Sequence, residues 1–387
     1  METGTAIIRH KLVYYLGRAL LAPALLAKYS YKTDFVPETD YSCIIMANHT
    51  TESDMTMLIR ACPKFMYFVC GEHLLRSRYA GLIVKFFDPI VEFKGTVAAS
   101  TVKEIMRRIK AGFNVMIFPE GCRSFHGQTL KLSNSIGKLV KNAKAGLVTY
   151  RMQGGYFIAP RWAYTFRKGP ARGKVVHVYS PDELQKMSAQ EITDIINADL
   201  YENAYLTQRN APQEYSGERL AEGIENYLII CPKCGAYDSL QSKGNTFHCC
   251  RCGKKAVYTK TGFLEGEFGF DSVYEWGKWI ETRFAEDMKK KSNTELLFHE
   301  TELTLYKITP EHEQITLKNG AMDVYSDRLV FEDRTFPFSE IPAMNMLYYG
   351  KTILFTYEGI YYGISGDHFH AIKSSMLYDI YKAAQRS

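Results

Sequence analysis

Two short cysteine hooks constrain this chain more tightly than any other stretch. "CPKCG" begins at Cys231, and "CCRCG" ends at Gly253. Cys231 and Cys234 are separated by two residues, as are Cys249 and Cys252, and fourteen residues lie between the pairs. Four thiolates in two such hooks suit tetrahedral zinc with no open position, a structural rather than a catalytic site. Glycine follows the second cysteine of each hook, where a positive φ turns backbone amides toward sulfur. Cys250 is an alternative to Cys249 as the third ligand, and His248 reads as a strand residue. Five of the nine cysteines crowd into 231–252. In a chain without a secretory signal, that clustering implies metal binding in a reducing compartment rather than a disulfide framework.

The remaining sequence is long enough, at 387 residues, for two or three domains. A net charge of +6 favours anionic partners, whether phospholipid surfaces, phosphorylated substrates or nucleic acid. The N-terminus is lipophilic without a signal peptide's layout. In "IIRHKLVYYLGRALLAPALLAKYSYK", Arg18 and Pro23 interrupt the apolar run, which falls short of the roughly 20 apolar residues of a spanning helix. It reads as kinked helices lying at a membrane interface, basic residues among head groups. A helix of a soluble core is the competing reading.

Apolar runs at 41–47, 64–70, 88–93 and 113–118 read as strands, with helices from Asp54 and over 100–112 between them. Alternation of this kind implies an α/β fold, a mixed sheet flanked by helices. Further strands are expected at 145–151, 155–160 and 174–179, and helix over 182–210. The composition shifts near residue 225. The expected domains are 1–224, the α/β unit with its N-terminal membrane-binding helices; 225–262, the cysteine-rich segment; 263–298, a helical connector; and 299–387, a small antiparallel β domain with a C-terminal helix. Asn319-Gly320, Gly350 and Glu358-Gly359 read as hairpin turns in the last of these.

"IIMANHTTESD" places His49 just past a strand and Asp54 at the start of the next helix. A spacing of five lets the carboxylate reach the imidazole, fix its tautomer and stabilise imidazolium. Alternatively, Asp54 is a helix cap and His49 a satisfied loop residue. A second strand end, "IFPEGCRS", brings Glu120 and Arg123 to the same rim on a turn made by Pro119 and Gly121. Ligand sites in open α/β sheets lie beyond the carboxyl ends of strands, and Arg suits bidentate phosphate recognition.

"NHTTESD" followed about 65 residues later by "FPEGCRS", after an amphipathic N-terminus, resembles the PlsC-type glycerolipid acyltransferases over roughly residues 5–210. The resemblance implies His49 as general base oriented by Asp54, Glu120 and Arg123 at the glycerol and phosphate end of the acceptor, and Gly121 shaping their turn. It matches Lys94 in "IVEFKG" to a basic position, and "GGYFIAPRW" to a strand leading to Pro160. It further implies transfer of an acyl group from acyl-CoA or acyl-carrier protein to a lysophospholipid, with 1-acylglycerol 3-phosphate as first acceptor, at the cytoplasmic face of the cell membrane. Other lysolipids or aminolipids remain as acceptors. Cys122 departs from the usual threonine, and Gly71 stands where a lysine is common. Arg151, Arg161 and Arg167 are candidates to replace that lysine.

The cysteine segment resembles a zinc ribbon. A ribbon serves as scaffold, protein-docking surface or nucleic-acid binder, and an acyltransferase upstream favours the first two. A nucleic-acid- or protein-binding ribbon on a degenerate acyltransferase fold is the rival from a different class. The order of about seven strands and a closing helix after residue 299 is similar to a PH-like or GRAM-like domain.

Overall fold

The computed structural model describes residues 4–21, 23, 30–76, 81, 87–93 and 99–385. Its first sheet has seven strands: β1 (Tyr31–Thr33), β2 (Cys43–Ala47), β3 (Met66–Gly71), β4 (Ile90–Glu92), β5 (Asn114–Ile117), β6 (Gly146–Gln153) and β7 (Ala171–Tyr179). Their order is β1-β7-β6-β2-β5-β3-β4. Neighbours run parallel except β6 and β7, so the sheet is mixed. All five residues of β2 are buried, because helices cover both faces and leave no solvent side for polar alternation. On one face Ile44, Met46, Val115 and Leu147 meet Ile105, Ile109, Val140 and Ile192 from three helices. On the other, Ile45, Met116, Val148 and Tyr150 join a core that continues into the rest of the chain.

β2 lies between β5 and β6 in register, Met46 opposite Ile117 and Thr149. The chain ends that follow these three strands therefore converge on one rim. The stretch 155–160, expected as a strand, is instead a turn of helix, Gly155–Ile158. Gly154 takes φ +80° and stops β6, and Gly155 lets the backbone approach Thr50, where a Cβ would stand 2.1 Å from its hydroxyl.

The N-terminal helix Gly4–Leu16 passes into a π-helical turn, Gly17–Leu21. Tyr14 anchors it by donating to Cys62 O, while Ile8, Leu12, Tyr15, Leu16 and Leu20 are exposed. Among the described residues, no helix is long and apolar enough to cross a membrane.

The second sheet, β8 (Leu240–Lys243), β9 (Thr246–Cys249), β10 (Lys255–Tyr258) and β11 (Leu264–Gly266), is an antiparallel meander. It runs past residue 262, the expected end of this segment, because the chain turns at Gly262 (φ +85°) and β11 pairs with β10. It is built into the main core. Tyr258 meets Trp162 edge-on at 5.3 Å, and the Arg167 guanidinium lies over both rings. Trp276, on the helix Val273–Met288, donates to Ile230 O and packs at a tilt against Phe268 and Phe247.

The third sheet holds seven antiparallel strands: β12 (Phe298–Ile308), β13 (Gln314–Val324), β14 (Arg328–Phe331), β15 (Arg334–Pro337), β16 (Met344–Leu347), β17 (Thr352–Tyr357) and β18 (Ile360–Ser365). Their order is β15-β14-β13-β12-β18-β17-β16, and the helix Ala371–Ala384 closes it. Glu358-Gly359 is the β17–β18 turn, both residues at positive φ. Asn319-Gly320 is not a turn; it lies within β13, opposite Thr304 and Leu303. The glycine there gives room to Glu332, whose carboxylate accepts from Ala321 N. The β12–β13 turn falls at 309–313, with His312 at φ +68°.

Candidate active site

Asn48 leaves β2 and locks onto β6: its amide donates to Met152 O (2.9 Å) and accepts from Met152 N (2.7 Å). The next residue, His49, is thereby fixed over the rim. Its ring stacks on Phe118 from the end of β5, centroids 4.2 Å apart and planes 12° apart. Nδ1 lies 2.9 Å from Asp54 Oδ2. Asp54 is fully buried and is the first residue of the helix Asp54–Ala61. It caps that helix in neither sense expected of an N-cap; its carboxylate reaches back to the loop instead. Oδ2 also accepts from Thr50 N and Thr51 N, and Oδ1 from Thr50 Oγ1 (2.9 Å). Four donors converge on this carboxylate, and with the hydrogen on Nδ1 directed at Oδ2 the acceptor nitrogen of the ring is Nε2.

Glu120 is a bracket for the same loop. One oxygen accepts from His49 N (2.8 Å), the other from Leu130 N (2.7 Å). Burial pushes its carboxyl up to about 8, against the pull of those two amides and with the Asp54 charge adding to the rise. Gly121 takes φ +69° and folds back on Phe118 O, the turn expected of it. Arg123 is committed to protein groups, donating to Ala159 O (3.1 Å) and to Glu52 (2.9 Å). Lys94 lies outside the described residues.

Asn48, His49, Thr50 and Glu120 line one side of a cleft; Ser124, Gly127, Thr129, Gly154, Tyr156, Glu202 and Ala204 complete it. The three arginines offered as substitutes for the missing lysine are spent elsewhere. Arg151 donates to the carbonyls of Ala198 and Asp199, ending a helix. Arg161 donates to Arg123 O and to Met346 O, and Arg167 is buried with a bond to Leu220 O. Glu202 carried no signal in the sequence, because two long-range backbone pairings place it. Asn48 stood within the quoted motif, where its polarity after an apolar run was the available clue.

The four hooked cysteines do meet. Their sulfurs lie within 4.8 Å of one another, with Cys231–Cys252 at 3.8 Å and Cys234–Cys249 at 3.7 Å. Thiolates at about 2.3 Å from a tetrahedral ion stand about 3.8 Å apart, so the set fits one metal ion. Gly235 and Gly253 take φ +70° and +73° and donate to Cys231 O and Cys249 O, closing each hook. Cys250 is exposed and turned toward His248, which leaves Cys249 in the cluster.

Residues 30–160 match a family model described as Acyltransferase. No curated protein sequence matches the chain. Among solved structures, the chain is similar to the crystal structure of the 1-acyl-sn-glycerophosphate (LPA) acyltransferase PlsC from Thermotoga maritima. Identity is 18% and the TM-score 0.40, covering 49% of this chain and 78% of that one. His49, Asp54 and Glu120 all lie within residues 30–160, the stretch that the acyltransferase model matches.

Proposed function

We propose that this protein moves a fatty acyl group from a thioester, acyl-CoA or acyl-carrier protein, to the free hydroxyl of a lysophospholipid. The observation that carries this reading is the fully buried Asp54 on Nδ1 of a histidine that opens onto a cleft. The family resemblance supplies 1-acylglycerol 3-phosphate as the reference acceptor, with phosphatidic acid as its product.

In this mechanism, His49 Nε2 takes the proton of the acceptor hydroxyl while Asp54 stabilises the imidazolium. The acceptor oxygen attacks the thioester carbonyl. The tetrahedral intermediate expels the thiolate, and the proton on His49 passes to the departing sulfur. A thioester is already activated, so the scheme needs no covalent enzyme intermediate. Glu120 holds the loop that positions the base.

The apolar face of the N-terminal helix, Ile8, Leu12, Tyr15, Leu16 and Leu20 beside Arg9 and Lys11, supports peripheral attachment to a lipid surface, where acceptor and product reside. The four-cysteine cluster supports one structural zinc ion. Its sheet serves this chain as scaffold, since it is built into the common core; protein docking through it or through residues 299–387 is a secondary role, and nucleic acid is set aside.

The test is thiol release from acyl-CoA and acyl-carrier-protein donors with a panel of lysolipids, beside His49→Ala. Removal of a general base costs about 10²–10⁴-fold in rate. Full activity in the variant would sink the mechanism. An absence of turnover with every pair would favour a binding protein on an inactive fold.

A further inference from the structure

A second acidic residue of the cleft lining, Glu202, lies outside the motifs. Segments 127–129 and 200–204 zip together: Thr129 N donates to Glu202 O (2.9 Å), Ala204 N to Gly127 O (3.0 Å), and Glu202 N to Thr129 Oγ1 (2.9 Å). This pairing sets Glu202 in the cleft wall with His49. Its side chain is pinned at both oxygens, by Thr207 Oγ1 (2.6 Å) and by Gln153 Nε2 (2.8 Å), and the residue is 6% exposed. Burial raises its carboxyl above the usual carboxylate range. Each oxygen retains a further lone pair for a third partner.

The chemistry around it is that of a hydrogen-bond acceptor surface. Among the described residues lining the cleft, the carboxylic acids are Glu120 and Glu202, with hydroxyls from Thr50, Ser124, Thr129 and Tyr156. Arg123, Arg151, Arg161 and Arg167 are bonded to protein carbonyls or to Glu52. Two carboxyl groups offer a phosphate no cation, whereas an O–H or N–H donor finds oriented acceptors.

We propose that Glu202, held by Gln153 and Thr207, is a specificity-determining residue of the acyl transfer: it receives a hydrogen bond from a hydroxyl or ammonium group on the acceptor's polar end. The favoured lysophospholipid therefore carries such a donor beyond its phosphate. This rests on the reading of the chain as a lysophospholipid acyltransferase.

The experiment compares wild type with Glu202→Gln on four acceptors: lysophosphatidylglycerol and lysophosphatidylethanolamine, which carry donors, and lysophosphatidic acid and lysophosphatidylcholine, which lack a donor beyond the phosphate. Wild type should favour the first two at least tenfold in kcat/KM. In Glu202→Gln the KM for those two should rise about 10–100-fold, the range of a hydrogen bond to a charged group. Its kcat and the KM for acyl donor should hold within about threefold. Equal or better use of lysophosphatidic acid by wild type, or a preference that survives in Glu202→Gln, overturns the proposal. A uniform loss across all four acceptors also overturns it, since that marks Glu202 as a structural bracket. Calorimetric binding of short-chain forms of the same lipids separates the two readings. Donor-dependent binding that weakens tenfold in Glu202→Gln, without turnover, refutes the acyl-transfer reading and leaves the recognition role standing. Binding that is absent or indifferent to head group refutes the recognition role.

Discussion

Replacing Asp54 by Asn tests the catalytic reading with the least collateral damage. The carboxylate is buried and takes four donors: His49 Nδ1, Thr50 N and Thr51 N on one oxygen, Thr50 Oγ1 on the other. Asn keeps one oxygen. Turned toward the first three donors, it satisfies them, and its NH₂ faces the Thr50 hydroxyl, which can reverse to accept. The loop should therefore hold, with a melting temperature within a few degrees of wild type. What disappears is the negative charge beside the imidazolium that forms during the reaction. At about 4 Å and an effective dielectric near 20, a charge pair is worth about 4 kcal/mol. At about 1.4 kcal/mol per decade, this predicts a kcat/KM lower by roughly 10²–10³-fold. Asp54→Ala supplies the contrast, because it strands buried loop amides at about 1–3 kcal/mol each and should lower the melting temperature as well. The assay is continuous thiol release at saturating acyl donor, with thermal unfolding of each variant. Activity of Asp54→Asn within threefold of wild type would refute the argument, since Asp54 would then matter only for loop structure.

Two further outcomes follow from the geometry. Glu120, raised by burial to about 8, binds more protons folded than unfolded between its unfolded value near 4.3 and that higher value. Its contribution to stability is therefore complete at low pH and declines as pH rises from about 4 to about 8; Glu120→Gln should flatten the thermal-stability curve across that window, and parallel curves would contradict the assignment. Elemental analysis should give about one zinc per chain, and chelation or Cys234→Ser should lower the melting temperature by at least about 10 °C, while Cys250→Ser should leave it nearly unchanged; a zinc-free chain that melts like wild type would remove the metal.

Much of the site was legible because its chemistry is local. His49 and Asp54 lie five residues apart on one strand–helix turn, and two strand ends carrying polar residues already implied a shared rim. The cysteine hooks were legible for the same reason, four ligands in two short loops. What the sequence concealed lies in contacts between distant segments. Glu202 faces the cleft because 127–129 pairs with 200–204, and periodicity carries no record of that pairing. The arginines at 151, 161 and 167 read as candidates to replace a missing lysine, yet each donates to carbonyls of distant segments. Asn319-Gly320 looked like a hairpin, but the small residue was needed for the approach of Glu332. Gly154 and Gly155 open a turn of helix where the apolar run "YFIAP" read as a further strand.

The contact of Tyr258 with Trp162 and Arg167 has a consequence for how the molecule is made. Ribosomes deliver the catalytic strands well before residues 231–266 leave the exit tunnel. Until then Trp162, Tyr205 and the Arg167 guanidinium lack part of their cover, since Tyr258 comes from β10 and Phe263 from the turn at Gly262. The nascent chain thus holds a finished sheet with one open, sticky flank, the kind of intermediate that chaperones shelter. Folding of the segment that carries the cysteine hooks closes that flank. A zinc ion held there as proposed would govern how much of the chain completes its fold at birth, a role separate from the proposed acyl transfer.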